Sequence, residues 1–478
     1  MAGNTDAIVI GSGPNGLAAA IYLQQKGLST RIYERAPSVG GATRSMELTL
    51  PGFIHDIGSS IHPLALTSPF LSCMPLSTFG LQWIQPEIPF AHPLNGGRAA
   101  AAFQGITQTA EQFGVDKSTY QRIFAKLSGD WDILKHDVLS PVSWPSDYSK
   151  YWNFIRKALP SAKRFIQSHF SNDTTKTFFF GAAAHSTLPL DNLVTSAFGI
   201  VLLVLAHKTG WPFPKGGAGN ITRSMAAYFE SLGGQVLLNQ DIGDLGDLPP
   251  AKVLLLDQTP RQILKLNGTK FSEFYRQRLK KYSYGAGVFK IDWALSDPIP
   301  FVNELCRKAG TIHLGYSWQE IELSEKLVHK GRITGQPYVI LAQHSLFDPT
   351  RAPVGKHTAW AYCHVPNNTM ADMSIRIEEQ VEKSAPGFKD CILQKTTHNC
   401  EQLQTFNPNL VGGDINGGKQ DITQLFTRPV ARWSPYTTPD KRVYICSSST
   451  PPGGGVHGMC GYHAARKAYR DHFGNLDN

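Results

Sequence analysis

The apolar positions open with a short unbroken run, residues 6–10, which a glycine turn interrupts before apolar residues resume at helical spacing over about 15–26. A second short run occupies 30–34. Strand, glycine turn, helix and strand in that order predict a βαβ unit and so a parallel sheet. Residues 64–211 read as helix and loop, with a proline-rich break at 141–145. The longest apolar stretch, 197–206, is too short to span a bilayer. It reads as a buried helix, with a membrane-dipping or tunnel-lining helix as the alternative. Pro214-Lys215-Gly216-Gly217-Ala218-Gly219 leads into a helix over 222–232, stopped by Gly233-Gly234, and short strands are expected at 235–238 and 253–256. Beyond Gly287 the pattern turns strand-rich, at 288–293, 311–314, 338–342 and 358–364. Ser317 and Glu320 stand as a capping box for the helix after them. A helix is expected at 373–383, then a strand at 443–446, a glycine-rich turn and a helix over 459–469.

Composition narrows this picture. The 478 residues exceed what one small core organises, so two packed domains are expected. With 41% apolar and 17% charged residues the chain reads as a soluble globular protein. The net charge of +9 has no dense basic cluster behind it, which excludes a nucleic-acid binder. That charge leaves peripheral contact with a membrane or another anionic partner as an alternative to a solvated surface. Seven scattered cysteines without a CxxC pair point to a reducing, cytoplasmic location, with neither disulfides nor a metal site.

The chemistry is carried by Gly11-Ser12-Gly13-Pro14-Asn15-Gly16, a GxGxxG between a strand and a helix. Gly11 permits the tight turn, Gly13 lets backbone approach a diphosphate, and Gly16 lets helix and strand pack closely. The helix N-terminus then faces the phosphates. Glu34 closes the second strand about 20 residues further on, where a carboxylate accepts from ribose hydroxyls. Arg35, Gly40-Gly41, Ala42 and Arg44 follow, and this acid-then-double-glycine extension suits FAD, with Arg44 offering a charge-assisted bond to phosphate.

At this point the chain resembles the phytoene-desaturase-related branch of the flavin amine oxidase superfamily, and within it the bacterial phytoene-dehydrogenase-like oxidoreductases. The resemblance is carried by the N-terminal fingerprint, by residues 51–59, by Gly216-Gly217-Ala218-Gly219, and by Thr450-Pro451-Pro452-Gly453-Gly454-Gly455-Val456-His457-Gly458-Met459. It implies an α/β fold: a Rossmann-like FAD-binding domain of glutathione-reductase type, built from discontinuous segments 1–65, 212–262 and 425–478. An α+β substrate domain, 66–211 and 263–424, is inserted. It also implies that the segment around Asp241 and Ile242 meets adenine, and that the turn with Gly455, Val456 and Met459 offers backbone donors to the flavin. Ser59 joins the same group. Two departures stand out: Ala42 replaces an expected arginine, and Ser447, Ser448 and Ser449 stand where an acidic residue often binds the ribityl chain. Ser448 is carried as the cofactor-binding candidate. No covalent attachment motif is present, so the FAD is expected to be non-covalent.

Lys290 and His457 are the candidate catalytic side chains. Lys290 shares a strand face with Val288 and Asp292. The resemblance gives it the place of a lysine that holds a water at flavin N5; the alternative is an ion pair with Asp292. His457 is either a proton shuttle or structural. His62, His185, Trp211, Trp360, Tyr362 and His364 are candidates for the cavity wall. The expected reaction is oxidation or desaturation of a largely apolar small molecule by hydride transfer to FAD, with reoxidation by oxygen or a quinone. A flavin amine oxidase and a non-catalytic FAD-stabilised interaction protein are the alternatives.

Overall fold

A computed structural model describes residues 5–474. Its first sheet is parallel and five-stranded, in the order Val443–Ile445, Val253–Leu256, Ala7–Ile10, Thr30–Tyr33, Gln235–Leu237. Both faces are covered, which is why these strands read as unbroken apolar runs. Ala7, Val9, Ile32, Val253 and Leu255 pack with helices Pro14–Gln25, Gly219–Ser231 and Met459–His472. Ile8, Ile10, Leu254 and Leu256 pack on the other side with Tyr275 and Leu279 of helix Glu273–Lys280. The first and last helices lie close together because the contact is made by a small residue: a Cβ at Gly461 would overlap the Asn15 carbonyl oxygen.

The second sheet has seven strands, in the order Ile392–His398, Gly287–Leu295, His357–Val365, Val339–Ala342, Ala309–Leu314, Ile88–Pro93, Ala99–Ala102. All pairings are antiparallel except Ala309–Leu314 with Ile88–Pro93. Phe289, Ile291 and Trp293 turn to one face and pack with helix Ser374–Ser384. Val288, Trp360 and Tyr362 turn to the other, toward helices Lys117–Val138, Asp173–Ala184 and Thr195–Lys208.

Three strands of the large sheet depart from the pattern-based expectation. Ile88–Pro93 and Ala99–Ala102 lie inside the segment read as helix and loop. Pro89, Pro93 and four consecutive alanines are poor strand formers; pairing with a strand more than two hundred residues away overrides that preference for Ile88–Pro93, onto which Ala99–Ala102 then adds as the edge. Ile392–His398 is a largely polar edge strand with no alternation to betray it. The Ser317 capping box is half formed: its hydroxyl accepts from the Glu320 N–H at 3.3 Å, whereas a complete box joins Asn399 and Gln402. Helix Thr195–Lys208 is buried and contributes Ala197, Phe198, Val201 and Leu202 to the cavity wall. No helix among the described residues is long and apolar enough to cross a membrane, and all seven cysteines are free.

Candidate functional site

A cavity of about 640 Å³ runs from the turn after the first strand to the inner face of the large sheet. Gly11, Gly13, Pro14 and Asn15 line one end, with Glu34, Arg35, Gly41, Ala42 and Arg44 beside them. Gly11 adopts φ +103°, and the Gly16 Cα sits so close to Gly11 that a Cβ would overlap its carbonyl oxygen. Gly16 itself is behind the wall, its N–H donating to the Asp257 carboxylate at 3.0 Å. Glu34 is held in place by the Ser12 N–H and hydroxyl at 2.9 and 2.6 Å and by the Ala36 N–H at 2.8 Å. The Arg44 guanidinium lies over the Phe406 ring and donates to the Gly41 carbonyl at 3.0 Å.

Ile242, Ser59, Ser448, Gly455, Val456 and His457 also line the cavity. Ser447 and Ser449 donate to the carbonyls of Gln258 and Gly417, both at 2.8 Å, which leaves Ser448 as the hydroxyl of the three available to a ligand. Met459 is buried behind the wall, and its N–H donates to His457 Nδ1 at 3.0 Å instead of to a ligand. His457 therefore caps the last helix as an acceptor. Burial pushes it down to about 4, so the ring is neutral near pH 7.

Lys290 reaches the cavity wall and is ion-paired with Asp292, both side chains fully enclosed. Burial lowers Lys290 and raises Asp292 to about 6, each opposed by the attraction of its partner. His55 Nδ1 stands 3.5 Å from the other Asp292 oxygen. Burial, then Lys290, pushes His55 down to about 3, so that ring adds no charge.

Next to this pair lies a polar network that sequence reasoning missed. The Asp56 carboxylate accepts from Ser45 Oγ at 2.5 Å, Ser60 Oγ at 2.8 Å, the Ala218 N–H at 2.8 Å and Arg351 Nη2 at 2.8 Å. Burial favours its neutral form, but Arg351 and His344 outweigh that and hold it well below the usual carboxylate range. Arg351 Nε also faces Asp348, which accepts from the Gly216 N–H at 2.6 Å. The Gly219 N–H donates to Ser45 Oγ at 2.9 Å. The Gly216, Ala218 and Gly219 N–H groups are thus spent on protein side chains and that of Gly217 on the Pro214 carbonyl, so this second glycine motif works as a clamp between segments. Asp56 lies within the family motif at 51–59, and that was the available signal; Arg351 carried none.

Of the wall candidates, His62, His185, Trp211, Trp360 and Tyr362 line the cavity. His364 does not: it sits behind the wall with Nδ1 held by both Glu325 oxygens at 2.9 Å. Leu64, Phe154, Ile155, Val201, Leu202 and Ile340 make the chamber beneath the large sheet apolar.

Residues 9–69 match the NAD(P)-binding Rossmann-like domain. The mouse pyridine nucleotide-disulfide oxidoreductase domain-containing protein 2 is 25% identical over 98% of this chain and 93% of its own length. The lycopene-forming phytoene desaturase of Paracoccus sp. is 24% identical over 95% of each chain. Among solved structures, an oxidoreductase from Methanosarcina mazei superposes with a TM-score of 0.67 at 15% identity, covering 97% of this chain and 100% of that one. A putrescine oxidase bound to putrescine gives 0.62 at 15% identity, covering 97% and 98%. The chain is thus similar over nearly its whole length to a phytoene desaturase and shares the fold of an amine oxidase, a likeness that fits an oxidoreductase of the FAD type.

Proposed function

We propose that the chain binds FAD non-covalently along the cavity and oxidises or desaturates a largely apolar organic substrate, with oxygen or a quinone taking the electrons onward. The residues fit the cofactor. Gly13 and Gly41 approach so closely that a Cβ on Gly41 would lie 3.2 Å from the Gly13 Cα, and together they present bare backbone to the cavity, as close approach of a phosphate-bearing chain requires. Asn15 lines the same place, and its amide NH2 is a donor suited to phosphate oxygens. Bound FAD would supply hydride acceptance at N5.

In this reading Glu34 holds the ribose, the backbone around Ile242 meets the adenine, and Asn15, Arg44 and the first helix N-terminus hold the diphosphate. Ser448 serves the ribityl chain, and the 455–457 turn backs the ring. Lys290 holds or moves a proton at Nζ beside the reacting carbon. Segments 1–65, 212–262 and 425–478 form the cofactor unit, and 66–211 with 263–424 the substrate unit. The observation that carries the reading is the continuity of one cavity from the glycine turn into an apolar chamber.

The cavity mouth supports an apolar substrate as well. Val142, Leu159, Ile415 and Phe426 line the cavity yet are exposed, and Trp144, Tyr148 and Trp152 stand exposed on the same segment as the first two. Lys150, Arg156 and Lys157 accompany them. Aromatic and basic residues around an apolar opening suit an anionic bilayer surface from which such a substrate would enter. The protein should sediment with phosphatidylglycerol-containing vesicles, and Trp144→Ser with Trp152→Ser should abolish this.

The reading is tested by anaerobic incubation of the flavin-loaded protein with polyenes or prenyl chains while flavin absorbance is followed. Bleaching supports it. Bleaching by amines alone supports the second reading, amine oxidation, which Lys290 and the Trp360–Tyr362 wall favour. Colourless protein that takes up no FAD removes both.

A further inference from the structure

Asp257 follows strand Val253–Leu256, which pairs directly with the first strand. This strand end puts its carboxylate onto the glycine turn. Oδ2 accepts from the Gly16 N–H at 3.0 Å and lies 2.6 Å from where a Cβ on Gly13 would be. The side chain lines the cavity, so water reaches it only through the space a ligand would fill.

A helix N-terminus behind a glycine turn attracts an anion, and here the protein already supplies one. A dinucleotide brings the further negative charge of its diphosphate. No cation acts on Asp257 to offset this. Glu34 faces it from the second strand and makes matters worse, while Arg44 answers Glu34. From the last strand and helix, Cys446 and Cys460 come near. Both thiols are pushed up by burial and by Asp257, so they stay neutral and offer no compensation.

We propose that Asp257 takes up a proton when the dinucleotide binds, so that its neutral carboxyl keeps the Gly16 bond through the carbonyl oxygen while its hydroxyl is free to donate toward the anionic ligand. The inference rests on the reading that FAD occupies this cavity. Burial already pushes Asp257 up to about 7, and a diphosphate alongside pushes further in the same direction. The protonated form therefore prevails below about pH 7. Cofactor affinity is greatest there and falls as pH rises through that value, by up to about tenfold per unit.

The test uses the full chain. Flavin release from the loaded protein is followed by fluorescence on dilution at pH 6 to pH 8.5, and the flavin-stripped protein is titrated with FAD calorimetrically in two buffers of different ionisation heat. The expected result is a Kd that rises roughly tenfold per unit above about pH 7, with close to one proton taken up per FAD bound. Asp257→Asn should flatten the pH dependence and abolish proton uptake while retaining tight binding at high pH. An infrared difference spectrum of the wild type should gain a protonated-carboxyl band on binding, which identifies the group even if the variant does not fold. FAD bound with no proton uptake and no such band overturns the proposal, as does an unchanged pH dependence in Asp257→Asn. Failure of the wild type to bind FAD at any pH instead sinks the cofactor reading on which it rests.

Discussion

The two ends of the cavity are built in opposite ways. The cofactor end uses backbone: a glycine turn and a helix N-terminus, with the Glu34 carboxylate, all within residues 7–44, and Asp257 set against them from the neighbouring strand. The far end uses buried charge: Lys290 with Asp292, and Asp56 with Arg351 and Asp348, gathered from three distant stretches. Backbone recognition needs absent side chains, and so it leaves a short motif. Buried charges are costly alone and tolerable only together, so each depends on partners the chain sequence does not adjoin.

Four substitutions probe that contrast. Gly16→Val should have the largest effect, since its Cβ would overlap the Gly11 carbonyl: the purified protein should be colourless. Retained flavin would show that the turn is not the cofactor seat. Asp56→Ala leaves Arg351 fully buried with a single carboxylate and frees the Ala218 N–H. Urea melts should show a loss of about 3–5 kcal/mol, while the flavin that remains bound keeps its spectrum.

Lys290→Met separates charge from shape. Flavin content should hold, and reduction by substrate should slow by about 100-fold or more in stopped-flow traces. Stability should depend on pH as well. Burial raises Asp292 above its unfolded value, to about 6, so the fold favours its neutral form. That contribution is complete below the unfolded pKa and is lost as pH rises through about 6. Without Lys290 to pair the anion, the variant should match the wild type near pH 5 and fall behind by about 1.4 kcal/mol per unit above pH 6. A pH-independent difference would mean that the pair is purely structural. Glu34→Gln should be mildest. It retains the shape, but its amide nitrogen must face a backbone N–H of Ser12 or Ala36, so one charge-assisted bond is lost, about 1.5 kcal/mol and roughly a tenfold rise in the Kd for FAD.

The legibility of the molecule follows the same division. The first βαβ unit could be read because its parts are consecutive and strands buried on both faces leave unbroken apolar runs. Lys290 and Asp292 could be read as neighbours on one face because strand alternation is local. Ile88–Pro93 could not, because its strand character comes from a remote partner. The 216–219 turn could be read as the lead into a helix, but not for what it meets, because glycine marks close approach whatever approaches; Asp56 and Asp348 reveal that the visitor is protein. Asp257 carries no sequence signal, because an acid after a strand is ordinary until the strand's neighbour is known.

The glycine turn and the elements that back it lie far apart in the chain. Strand Val443–Ile445 forms one edge of the sheet, and Gly461 lets helix Met459–His472 rest on the first helix. A variant shortened before Val443 would keep the fingerprint intact and still lack the floor beneath it, so possession of the motif does not guarantee a seat for the ligand it announces.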